Sequence, residues 1–227
     1  MQPFAIILLI IVVQNTWAQR VEEKTIDWHA GQEVQLDLKY AHQIQIKTWD
    51  KPEVSLRVSV TINDNTLNEA WSMTTDTSDG QIQVTTDLDQ ADGHFRGDCE
   101  GSNYHSDGTS FCSFIVYDIY LPEAALLRVE TLAGDITIEG TAAPVYAKSL
   151  SGFVDADWPV QQGADVTMKS ITGEVYTNLD LAIDESDRER NRRGLVGWEI
   201  EATVAGGGKK VELESISNDV YFRKAGS

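Results

Sequence analysis

The sequence predicts an all-β chain, and three observations carry that prediction. The first is alternation: Val34, Leu36 and Leu38, then Ile44 and Ile46, then Val54 to Ile62 alternate with polar residues, the period of strands with one buried face. The second is a ten-residue phrase that occurs four times in the second half of the chain. The third is the lack of helical periodicity, since only Asp64–Met73 offers as much as one helical turn.

The first-half strands are bounded by ordinary turn chemistry. Asp50-Lys-Pro-Glu53 separates two of them, and Asp79-Gly80 precedes another that carries Ile82 and Val84. From Phe114 the chain alternates again through Ile115, Tyr117, Ile119 and Leu121, then stops at Pro122.

The repeated phrase runs over Val129–Ile138, Ala147–Ala156, Met168–Thr177 and Leu213–Phe222. Its third place holds Thr131, Ser149, Ser170 and Ser215, and its fourth holds Leu132, Leu150, Ile171 and Ile216. The sixth place reads Gly134, Gly152, Gly173 and Asn218. Gly and Asn accept positive φ most readily, so the expectation is a tight turn with one left-handed residue in each phrase. Small hydroxyls suit such turns because they bond nearby backbone amides. A β-branched residue follows at Ile136, Val154, Val175 and Val220.

The first three phrases start 18 and then 21 residues apart. A βαβ unit needs roughly 30 residues, which leaves a β-solenoid with stacked corners or a meander of hairpins. Constant turn chemistry at near-constant spacing favours stacking, with copies about 4.8 Å apart. The fourth phrase begins 45 residues after the third. The interval contains Asp184–Gly194, with no apolar residue and four acids against four arginines, which reads as an excursion. Val196–Val204 alternates once more and leads into Gly206-Gly-Gly208, which reads as a further, degenerate rung.

Phe4–Val13 is an unbroken apolar run followed by Thr16-Trp-Ala18, small residues at −3 and −1 before Gln19. Residues 1–18 therefore read as a signal peptide, too short to anchor the chain in a bilayer. The expected mature chain, 19–227, is one all-β domain: N-terminal strands and a disulfide loop over 19–113, solenoid repeats over 114–227. The formal net charge of −18 repels phosphate backbones and argues against nucleic acid as a partner. Cys99 and Cys112 form a pair suited to a disulfide in an oxidising compartment, periplasmic or extracellular.

Tyr120-Leu-Pro-Glu123, the phrase beginning at Val129 and its three later copies resemble a family of bacterial exported proteins known as putative adhesins. The leading strands of Gly31–Val60, with Ile44-x-Ile46-x-Thr-Trp-Asp50, resemble that family as well. The resemblance covers most of the mature chain and implies a single-stranded solenoid in a cell-envelope setting.

Candidate sites are sparse. Asp87, Asp89, Asp92 and Asp98 approximate a calcium loop, but the third acid falls one place late and Asp98 stands where a bidentate Glu is required. His94, Cys99, His105 and Cys112 are zinc-type residues, although a disulfide would remove the thiols as ligands. Tyr176 and Tyr221 occupy the same place in their phrases and suit a platform for sugar rings. Asp135, Phe153, Glu174 and Asp219 point outward beside the turns, so carboxylates recur along one edge without a defined catalytic pair. The expectation is a non-enzymatic exported envelope protein, structural or adhesin-like, with an envelope protein or polysaccharide as partner. The alternative is a carbohydrate- or calcium-binding module using the 87–112 loop.

Overall fold

The computed structural model describes residues 19–78, 80–89, 103–104, 110–183 and 197–226. In chain order the strands are β1 (Arg20–Asp27), β2 (Glu33–Leu38), β3 (Gln43–Trp49), β4 (Glu53–Ile62), β5 (Trp71–Asp76), β6 (Gln81–Leu88), β7 (Asn103–Tyr104), β8 (Ser110–Phe111) and β9 (Ser113–Pro122). They continue as β10 (Leu126–Thr131), β11 (Asp135–Glu139), β12 (Val145–Ser149), β13 (Val154–Trp158), β14 (Ala164–Ser170) and β15 (Val175–Thr177). The last four are β16 (Leu181–Ala182), β17 (Trp198–Val204), β18 (Lys209–Ser215) and β19 (Val220–Lys224). One 3₁₀ turn, Asn68–Ala70, falls inside the segment where the sequence allows a helical turn.

Two mixed sheets hold nearly all of these strands. Sheet A has the order β1-β4-β9-β3-β11-β13-β19-β15, and sheet B the order β16-β17-β14-β18-β12-β10-β2-β6-β5. Inward residues of both sheets, from Ile26 to Phe222, form one core that the two halves of the chain share. Burial of each aliphatic side chain contributes about 1.5–3 kcal/mol, which explains why alternation is so regular.

The phrases stack in parallel and in register, but not in sequence order. In sheet B, Val145 of the second phrase's rung faces Val211 of the fourth, and Val211 faces Val166 of the third. In sheet A, Val154 faces Val220 and Val220 faces Val175. The fourth phrase thus lies between the second and the third. A solenoid wound in sequence order is not what the chain forms. Nor is 198–204 a degenerate rung, because β17 pairs antiparallel with β14. The C-terminal strands β18 and β19 are interior in both sheets.

The turn chemistry also differs from expectation. Of the four sixth-place residues only Gly134, at φ +108°, is left-handed. Gly152 is required by proximity: a Cβ there would lie 1.9 Å from the Gly134 carbonyl oxygen. At Gly173 a Cβ would meet the Asn218 carbonyl at 2.4 Å. Close stacking, more than backbone twist, selects glycine here.

The phrase hydroxyls run through these contacts as a relay. Gly152 N–H donates to Ser149 Oγ (2.8 Å), which donates to the Gly134 carbonyl (2.9 Å). Asn218 N–H donates to Ser215 Oγ (3.0 Å), which donates to the Gly152 carbonyl (2.8 Å). Gly173 N–H donates to Ser170 Oγ (2.9 Å), which donates to the Asn218 carbonyl (2.7 Å). All three serines are fully buried. Each one closes its own turn and ties it to the turn beneath, so no buried polar group in the series is left unpaired.

Turns at the opposite end carry a device that sequence reasoning missed. The indole N–H of Trp28, Trp49 and Trp158 donates to the carbonyl of Gln32, Glu53 and Gln162, four residues on in each case. Its signal in the sequence is a Trp with Gln or Glu four places later.

Candidate functional site

Stacking brings the outward residues of β11, β13, β19 and β15 into rows on the outer face of sheet A. The row nearest the phrase turns holds Asp135, Phe153, Asp219 and Glu174. Its carboxylates bind backbone: Phe153 N–H donates to Asp135 Oδ1 (3.0 Å) and Glu174 N–H to Asp219 Oδ1 (2.8 Å). These acids brace neighbouring turns.

The next row holds Thr137, Asp155, Tyr221 and Tyr176, in the register of the strand pairs. The Tyr176 and Tyr221 rings stack with centroids 5.1 Å apart and planes 14° from parallel. Phe153 meets Tyr221 edge-on at 6.1 Å. The Tyr221 hydroxyl donates to Asp219 Oδ2 (3.0 Å), and that bond is the chief cause of its pKa being raised. Tyr176, on the end strand of sheet A, is 48% exposed. The two tyrosines picked out in the sequence are therefore together. Phe153 joins them, although its place in the phrase groups it with the acids of the turn row.

A third row contains Glu139, Asp157 and Arg223. Arg223 holds Asp155 with two guanidinium nitrogens. Asp157 accepts from Gly140 N–H (2.7 Å), yet burial of its carboxyl outweighs that bond and raises its pKa. With Lys224 and Gly226 these residues line a cleft of about 240 Å³. The surface can therefore offer an aromatic ring face, carboxylate acceptors and a guanidinium within one patch.

The other sequence candidates are more scattered. Asp87 lies in β6 with Oδ2 3.8 Å from Lys39 Nζ and Oδ1 accepting from Leu88 N–H, while Asp89 N–H donates to the Ala70 carbonyl. Asp92 and Asp98, the other two acids of the calcium reading, lie outside the described residues, as do His94, Cys99 and His105. Cys112 is half-buried between β8 and β9, with its N–H donating to Asn63 Oδ1 (3.0 Å). Residues 1–18 and the excursion at 184–194 also fall outside. Among the described residues, no group of three or more metal-ligating side chains is disposed around one point. Nor is any helix there long and apolar enough to cross a membrane, which leaves spans by strands unaddressed.

Comparison with known proteins places the fold. No protein-family model matches the chain, and no curated protein matches it in sequence. Among solved structures, a putative cell adhesion protein from Clostridium sporogenes superposes with a TM-score of 0.55 at 12% identity, covering 91% of this chain and 100% of that one. A putative adhesin from Bacteroides fragilis aligns over 91% of this chain and 98% of its own at 8% identity, with a TM-score of 0.26. The first shares the fold; the second overlaps too poorly to argue from.

Proposed function

We propose that this protein is an exported, non-enzymatic, adhesin-like member of the putative-adhesin family, acting at the cell envelope through the outer face of sheet A. The observation that carries the reading is the exposed tyrosine stack, locked by Asp219 and Phe153 and set beside the Asp155–Arg223 pair. A flat ring surface flanked by fixed polar groups suits a pyranose ring, whose C–H face packs on aromatics while its hydroxyls bond to side chains. Similarity of fold to a putative cell adhesion protein supports the same direction. In this reading residues 1–18 direct export, Cys99 and Cys112 are disulfide-bonded, and the parallel phrases form a two-sheet solenoid with one rung out of sequence.

The test is a glycan array probed with the mature protein and with Tyr176→Ala. The expected result is binding to a defined set of glycans that falls about tenfold or more in the variant, the loss of one aromatic stacking contact. Uniformly blank arrays, or binding indifferent to Tyr176, would overturn the sugar-binding face.

A further inference from the structure

The C-terminal arm, Lys209–Lys224, fills a slot whose two walls are alike. In sheet B, β12 and β14 flank the arm in the same register, since Ser149 and Ser170 both face Ser215, and Lys148 and Lys169 both face Glu214. The slot is keyed by charge: Lys148 Nζ lies 3.2 Å from Glu214, and in sheet A Asp155 holds Arg223.

The arm is reached through an arch. Val204 and Lys209 flank Ala164 from opposite sides, so Ala205–Gly208 must cross over the start of β14. Ala205, Gly206, Gly207 and Gly208 are all left-handed, at φ 48°, 87°, 83° and 150°. Space under the arch is tight, for a Cβ on Gly163 would stand 2.0 Å from the Gly207 carbonyl oxygen. Four successive residues in that region include one alanine, a conformation that extended chain would relieve.

We propose that this arm is exchangeable: the slot of one molecule accepts the arm of a second copy, hinged at Ala205–Gly208, so that the chain self-associates by reciprocal strand exchange. Every contact of the arm is reproduced in the exchanged pair, which leaves the hinge and the protein concentration to set the balance. The residues that recognise the incoming arm are those that hold its own: Lys148 and Asp155, with the Gly152 carbonyl receiving Ser215 Oγ.

Complementary charge reversal tests this in the full mature chain. One variant reverses the slot (Lys148→Glu with Asp155→Arg) and the other reverses the arm (Glu214→Lys with Arg223→Asp). Each opposes itself, whereas exchange between them restores both pairs at both slots of the heterodimer, reversed in sense at one slot and wild-type at the other. Co-refolded at equal concentration and read by native mass spectrometry, the mixture should hold heterodimer in about hundredfold excess over either homodimer, the ratio expected for four restored surface-strength pairs. Monomers alone in the mixture would overturn the proposal. Should neither variant fold, alone or mixed, the wild-type chain carrying two distinguishable tags decides: mixed dimers after concentrated co-refolding sustain exchange, and monomers alone refute it.

Discussion

The two halves of the molecule share a core but secure their strands by different means. In the N-terminal half, β4 and β9 run antiparallel over Glu53–Ile62 and Ser113–Pro122, and long apolar faces do most of the holding. At the centre of that half the Tyr117 hydroxyl sits between the Trp71 indole N–H (3.3 Å) and Thr86 Oγ1 (3.4 Å), a polar cluster that, among the described residues, is not repeated from strand to strand. In the phrase half the strands are short, and buried serines and glycines repeat from rung to rung. A sheet of long strands tolerates a local fault because neighbouring side chains still pack. A stack of short parallel rungs depends on each turn fitting the next, as in other repeat architectures.

Replacing Gly152 by Ala should expose that difference most strongly. The added Cβ meets backbone at 1.9 Å, which cannot rotate away, so a loss of about 3 kcal/mol or failure to fold is expected by chemical denaturation. In the other half a Cβ on Gly80 would meet nothing within 4 Å, and only the φ of +77° opposes substitution, so Gly80→Ala should cost roughly 1 kcal/mol. Equal losses at the two sites would break the comparison.

Ser149→Ala removes a link between turns and leaves the Gly152 N–H and Gly134 carbonyl without their partner. A loss of about 1–3 kcal/mol is expected. The Thr131 hydroxyl, at the end of the relay, bonds within its own turn, to the Ala133 carbonyl and N–H. Thr131→Ala should therefore cost less, about 1 kcal/mol, and urea midpoints of the two variants rank the relay directly.

Tyr117→Phe should have a similarly small effect at neutral pH, about 1 kcal/mol, from the unpaired Trp71 indole. Burial pushes the Tyr117 pKa up to about 12 from an ordinary 10.0. The protonated phenol is thus favoured by the fold. Its stabilisation is complete below pH 10 and is lost as pH rises towards 12. Wild-type stability should fall across that window, and the Phe variant should fall less, a contrast visible in alkaline melts.

The sequence made the strands legible through Val34 to Ile62 and the four phrases, because burial on one face leaves a period of two. It made the tyrosine pair legible too, since Tyr176 and Tyr221 share a place in the phrase. It did not disclose Arg223 or Asp157 as members of the same face, since nothing in their own spacing ties them to it. Position within a row depends on which rung lies beside which.

That dependence marks the boundary between the two sources of knowledge. Sequence alone determined the class, the turn residues and the side chains that face inward, because hydrophobic burial and turn chemistry are local properties of the chain. Only the tertiary structure decided the order of the rungs. Read along the chain, the second places of the phrases run Glu130, Lys148, Lys169, Glu214, which would set two lysines side by side. With the fourth phrase inserted they run Glu130, Lys148, Glu214, Lys169, and every neighbour is an opposite charge. Four copies of nearly the same phrase carry little in themselves to fix their order. The charges that differ between them, the closure of the serine relay and the reach of the Ala205–Gly208 arch become decisive only once the strands lie in contact.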